Sequence, residues 1–119
     1  MYGFPSDLDL SAAVGQETTQ FCVGPYDLQF SFGAVAFAVQ SQVELHRDGA
    51  LVATWQAGEW PAPAFYGVFS KPVSVVRVVD ERRLCIALQD GTELHVLDSS
   101  DQYESLQIYV PDTKGPYII

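Results

Sequence analysis

The chain is expected to form a mainly β (α+β) domain: an antiparallel sheet, barrel-like or split into two layers, made from two similar helix-plus-meander repeats. Strict alternation is the first observation behind this. Tyr26, Leu28, Phe30 and Phe32 are apolar while Asp27, Gln29 and Ser31 between them are polar, which is the period of a half-buried strand. The second is a pair of hairpin signals, Asp48-Gly49 and Asp90-Gly91, each set between strand-like runs. The third is order: a short helical signal followed by strands over about residues 8–56 recurs over about 64–110. At 119 residues the whole chain, 1–119, is one domain with a single modest core.

Ser6 followed three residues later by Asp9 is a shortened capping box ahead of Leu8, Leu10 and Val14, and Gly15 supplies a stop. The resulting helix of about two turns is too short to persist without packing. β-branched and aromatic residues then give a strand Thr18–Val23, a turn at Gly24-Pro25 and the alternating strand Tyr26–Phe32. After a tight turn at Gly33, the residues Val35, Phe37, Val39, Val43 and Leu45 keep one parity, interrupted only by Ser41. That pattern fits one long strand, or a bulge or bend near Ser41. Asp48-Gly49 turns the chain into Leu51–Trp55. Ala57–Ala64, with Gly58, Pro61 and Pro63 around Trp60, is an irregular connection. Phe65, Val68 and Phe69 follow at helical spacing, and Lys71-Pro72 closes that element. Val73–Val79 is almost continuously apolar and is expected as a central strand, with Asp80–Arg83 as its solvent turn. Leu84–Leu88 and Thr92–Leu97 pair around Asp90-Gly91, Tyr103–Val110 is the last long strand, and Tyr117–Ile119 adds a short edge pairing.

Fifteen acidic residues against six basic ones give a net charge of -9. A duplex or an anionic bilayer is repelled by that balance, and Arg82-Arg83 beside Glu81 is no basic patch, so neither nucleic acid nor membrane is expected as a partner. The start Met1–Pro5 lacks a basic leader and no apolar run approaches the length of a membrane span, which points to the cytoplasm. Cys22 and Cys85 both sit inside strand patterns; they read as buried free thiols, with a disulfide between them as the alternative.

Candidate chemistry is sparse. His95, Asp98, Asp101 and Glu104 form the polar group that a divalent cation or a metal-dependent hydrolase would need. A charged turn with its carboxylates bonded to nearby amides explains the same residues without a metal. His46 and His95 are the only histidines, each late in a strand on the polar parity, and no third His or Cys lies at metal-ligand spacing. No nucleophile elbow accompanies Ser99, Ser100 or Ser105. No catalytic residue, metal ligand or cofactor is therefore assigned. The aromatic set Trp55, Trp60, Phe65, Tyr66 and Phe69 is more suggestive: Phe65 and Phe69 suit a covering role, and Trp60 and Tyr66 suit contact with a partner.

The segments Phe4-Pro5-Ser6-Asp7-Leu8-Asp9-Leu10, Val14-Gly15-Gln16, Phe21-Cys22-Val23-Gly24-Pro25-Tyr26 and Asp98 to Ile108 resemble a family of small uncharacterised bacterial proteins, a domain of unknown function of about this length. Its members end in a Tyr-Glu-Ser-Tyr-Gln-Ile form, and here Leu106 stands at the second aromatic position. The resemblance implies a bacterial cytosolic origin and carries no activity with it. The functional expectation is a non-enzymatic protein-interaction module, immunity-like, masking a basic partner. Its binding residues are Trp60 and Tyr66 as apolar anchors, with Glu93, Asp98, Asp101 and Glu104 steering a cationic surface. The alternatives are the metal-dependent hydrolase and a structural homo-oligomer, a homodimer that buries an edge strand and Trp60.

Overall fold

A computed structural model describes residues 4, 8–69, 71–98, 106–110 and 117–118. Among the described residues ten strands follow one another as β1 (Thr18–Val23), β2 (Leu28–Phe32), β3 (Val35–Val39), β4 (Gln42–Arg47), β5 (Ala50–Gln56), β6 (Val73–Asp80), β7 (Arg83–Leu88), β8 (Thr92–Leu97), β9 (Leu106–Tyr109) and β10 (Tyr117–Ile118). They form two five-stranded antiparallel sheets, ordered β1-β2-β3-β9-β10 and β5-β4-β8-β7-β6. The mainly β expectation holds in its two-layer form. Neither sheet closes on itself, so the barrel-like alternative is corrected.

The core follows from the period of two. Leu28, Phe30 and Phe32 on β2, Val35, Phe37 and Val39 on β3, and Leu106 and Ile108 on β9 form the inner face of the first sheet. Val43 and Leu45 on β4, Trp55 on β5, Leu84, Ile86 and Leu88 on β7, and Leu94 and Val96 on β8 form the facing layer, and all of these residues join one buried cluster. Phe30 stacks on Phe37 with ring centroids 5.1 Å apart, and Phe32 meets Phe37 edge-on. Polar residues at the alternate positions face outward, which is how an antiparallel sandwich places its solvent surfaces.

Ser41 decides the topology. The parity that runs from Val35 to Leu45 is carried by two strands: β3 ends at Val39, β4 starts at Gln42, and the bend between them moves the chain from the first sheet to the second. The first half of the chain thus contributes β1–β3 to one sheet and β4–β5 to the other. The second half contributes β6–β8 to the second sheet and β9–β10 to the first. The expected helix-plus-meander repeats are corrected accordingly: β1–β3 and β6–β8 are each three-stranded meanders, but neither half is a unit of its own, because its other two strands lie in the opposite sheet. The two expected helices are only 3-10 turns, Ser11–Ala13 and Pro63–Val68. In the first, the Ser11 amide donates to the Asp9 carboxylate at 3.0 Å, which holds the carboxyl of Asp9 below its usual range.

Asp48 and Gly49 both take positive φ, 52° and 86°, the arrangement of a type I′ hairpin turn between Arg47 and Ala50. Val73–Val79 is corrected from a central to an edge position. β6 pairs only with β7 within its sheet, and Val75 and Val79 are exposed. β-branched residues favour the extended backbone whether or not the strand is covered, so a valine run marks a strand without stating its place in the sheet. Among the described residues no helix is long and apolar enough to cross a membrane.

Candidate functional site

Two surfaces concentrate the chemistry: an aromatic edge along β1 and a polar layer on the outer face of the second sheet.

The aromatic edge is built by a braced turn. Trp55 is fully buried and its indole N–H donates to the Glu59 carbonyl at 2.9 Å. The Glu59 side chain accepts from the Gln56 amide at 3.0 Å, and the Glu59 amide donates to the Gln56 carbonyl at 3.1 Å. Gly58 sits inside this turn at φ 91°, a conformation that an L side chain resists. With Glu59 held on three sides, the next residue has no core to enter, and Trp60 stands 82% exposed. It shares a cleft of about 350 Å³ with Val23, Gly24, Pro25, Gly58 and Glu59. A second turn, closed by the Gly24 amide on the Asp27 carbonyl at 2.9 Å, forms the other wall and exposes Tyr26.

Tyr66, on the second 3-10 turn, lies edge-on to Phe21 with ring centroids 6.4 Å apart and is half exposed. Phe21 also meets Phe30, Phe65 and Phe69, which carries the edge into the core. Phe21 and Val23 are two residues apart on β1, about 7 Å along a strand. Tyr66 and Trp60 therefore flank neighbouring positions of the same edge strand. Phe65 is buried, in keeping with a covering role.

The polar layer follows from register. Across the second sheet the outward positions align as Arg77, Cys85, His95, Glu44 and Thr54, and Glu93 stands opposite His46. Arg83 donates to Glu44 at 2.9 Å and to Nδ1 of His95 at 3.0 Å. A guanidinium has no acceptor, so Nδ1 carries the lone pair and the imidazole proton sits on Nε2, which donates to Glu93 at 2.9 Å. His46 donates through Nε2 to Glu44 at 2.9 Å, and the two imidazole centroids are 4.2 Å apart. Arg77 lies 3.7 Å from the other Glu93 oxygen.

This network moves its acids. Bonding from His95 holds Glu93 below its usual carboxyl range against the opposing effect of burial, helped by the charge of Arg77. Burial pushes Glu44 upward, but the bonds from His46 and Arg83 outweigh it and leave its pKa lowered. The Cys85 thiol is pushed up to about 11, first by burial and then by the Glu93 charge. Cys85 is buried on the outer side of the sheet, beneath charged side chains.

The residues singled out from the sequence do not form one surface. Trp60 and Tyr66 come together along β1. Glu93 lies on the other sheet with its carboxylate taken up by His95, Arg77 and Cys85. Asp98 is buried, and its carboxylate meets Arg82 at 3.4 Å. His95 and Asp98 are three residues apart, a spacing that meets on a helix but points to opposite sides of an extended chain. Asp101 and Glu104 lie outside the described residues. Both cysteines are free and belong to different sheets. Glu44, Arg83 and Cys85 went unnoticed as partners of His95 because they come from β4 and β7. Only the period of two, which puts His46, His95, Glu44 and Glu93 on polar parities, hinted at a shared face.

Comparison with protein-family models, curated proteins and solved structures finds no match for this chain, so the reading of both surfaces rests on their own geometry.

Proposed function

We propose that the chain is a non-enzymatic interaction module that masks a basic protein partner, in the manner of an immunity protein, with the β1 edge as its contact surface. The observation that carries this reading is Trp60: a tryptophan 82% exposed on a turn braced by the buried Trp55. An indole left in water on a hydrogen-bonded turn presents apolar area at a reduced ordering cost on binding. Tyr66 and Tyr26 extend the same edge.

Charge supports a cationic partner. Residues 1–46 contain no lysine or arginine, and the cleft beside Trp60 is lined by one acid, Glu59, and no base. A lysine or arginine stem laid along the indole face would bring its charge towards Glu59 and gain a cation–π contact, worth about 0.5–1 kcal/mol at an exposed site. The overall charge of -9 would speed encounter with such a partner and make it salt-dependent.

The test is affinity capture from the source lysate with wild type and a Trp60→Ala/Tyr66→Ala variant side by side. Calorimetry on the purified captured protein then measures the contact directly. The expected result is a basic protein bound by wild type, weakened by added salt and lost by the variant. Equal capture by both proteins would move the contact away from the β1 edge. A concentration-dependent dimer that is abolished by the variant would favour the homo-oligomer instead.

A further inference from the structure

The polar layer contains a donor set that its hydrogen bonds do not exhaust. One ligand atom each from Cys85, Glu93 and His95 lies within 4.8 Å of the others, with Cys85 and His95 buried and Glu93 part-exposed towards solvent. Cys85 and His95 are direct cross-strand partners on β7 and β8, and Glu93 precedes His95 by two positions on the same side of β8. Both backbones are therefore fixed by the sheet ladder. Donor atoms around a tetrahedral zinc at about 2.0–2.3 Å stand roughly 3–4 Å from one another. Side-chain shifts of about 1 Å, with no backbone movement, bring these three to that spacing.

We propose that Cys85, Glu93 and His95 form a binding site for a thiophilic divalent transition metal, of which Zn²⁺ is the type, with the fourth position open to water. A sulfur, an imidazole nitrogen and a carboxylate oxygen suit zinc or cobalt, whereas calcium and magnesium take oxygen ligands. His95 ligates through Nε2, the nitrogen that faces Glu93, and its proton relocates to Nδ1. Arg83 then keeps its bond to Glu44 and yields Nδ1; Glu44 is the cross-strand partner of His95 and the carboxylate available to it. A carboxylate behind a metal-bound histidine orients the ring and raises its basicity. Cys85 releases its thiol proton to solvent, and the metal–sulfur bond replaces the S–H bond to Glu93.

Charge permits the exchange. Glu44 and Glu93 balance Arg77 and Arg83 while the thiol is protonated. Putting a dication in place of one proton raises the layer by a single positive charge on a chain of net -9. A thiol kept only for packing has no need of a carboxylate and an imidazole converging on it from the water side of a sheet.

The probe is Co²⁺ added to the full chain under a phosphine reductant. One Co²⁺ per chain is expected, with a thiolate-to-cobalt charge-transfer band in the near ultraviolet that stoichiometric Zn²⁺ abolishes. Cys85→Ser should remove the band and weaken binding beyond the roughly 10–100-fold that loss of an outer partner costs a metal site. Cys22→Ser should retain both. His95→Gln, which keeps a similar volume, should weaken binding like Cys85→Ser and so preserves the test if the serine variant misfolds. No saturable thiolate band in wild type, or a band that survives Cys85→Ser and disappears in Cys22→Ser, would overturn the site and leave the layer a hydrogen-bonded network only.

Discussion

On the outer side of the first sheet, the row Cys22, Gln29, Ala38 and Gln107 carries no ionised group. On the outer side of the second, the row Arg77, Cys85, His95, Glu44 and Thr54 carries one arginine and one glutamate, which pair with Glu93 and Arg83 on the same face. The inner faces of the two sheets are both apolar and join one cluster, phenylalanine with leucine, isoleucine and valine on the first and leucine, isoleucine and valine with Trp55 on the second. The contrast shows that a sheet of this sandwich can join the shared core without a bonded charged layer on its outer face. An outer face as connected as that of the second sheet is therefore a feature in its own right, and it holds the donor set proposed for the metal.

The comparison breaks first if the inner faces are unequal. Phe37→Ala in the first sheet and Trp55→Ala in the second should each cost about 3–5 kcal/mol in denaturant unfolding, since both side chains are buried and collapse around either void is partial. A cost confined to one of them would mean that the sheets do not share a cooperative core.

The outer faces should then separate. Arg83→Ala removes one part-buried donor from Glu44 and the one on Nδ1 of His95, and should cost about 1–3 kcal/mol. Gln29→Ala, at an exposed position of the first sheet, should stay within about 0.5 kcal/mol. Equal effects in the same unfolding assay would show that the polar layer adds nothing to the fold.

Acid sharpens the same contrast. Glu44 and Glu93 both titrate below the ordinary glutamate value of 4.5 in the folded chain. Their contribution to stability is present above that value and is lost as pH falls through the lower, folded one. Unfolding midpoints of wild type should drop steeply below about pH 4.5, and a Glu44→Gln/Glu93→Gln variant should show a flatter acid limb. Parallel limbs would place the acid sensitivity elsewhere.

The smallest effect on stability belongs to the β1 edge. Trp60→Ala should move the unfolding free energy by no more than about 0.5 kcal/mol, because the indole is already in water. Its intrinsic fluorescence should be strongly quenched by a soluble quencher, while that of Trp55 is shielded. A large loss of stability would instead make Trp60 a structural cover of the cleft.

Much of the local structure was readable in the chain. Alternation at Tyr26–Phe32 located β2, although Tyr26 itself falls in the preceding turn, and Asp48-Gly49 and Asp90-Gly91 marked hairpins that the structure contains. Gly58, Pro61 and Pro63 placed Trp60 in an irregular connection, and alternation put both histidines on polar parities. The valine run of β6 misled, because strand propensity is a property of the backbone and burial is not.

By itself the amino-acid order determined which residues extend, where they turn and which side chains share a face, since these follow from steric preference and a two-residue period acting over a few positions. Only the tertiary structure decided that the bend at Ser41 sends β4 across to the second sheet, and that β4, β8 and β7 lie side by side. Pairing joins residues as distant as Glu44 and Arg83, and no local preference encodes which distant strand supplies the partner; shared burial of the two inner faces selects it.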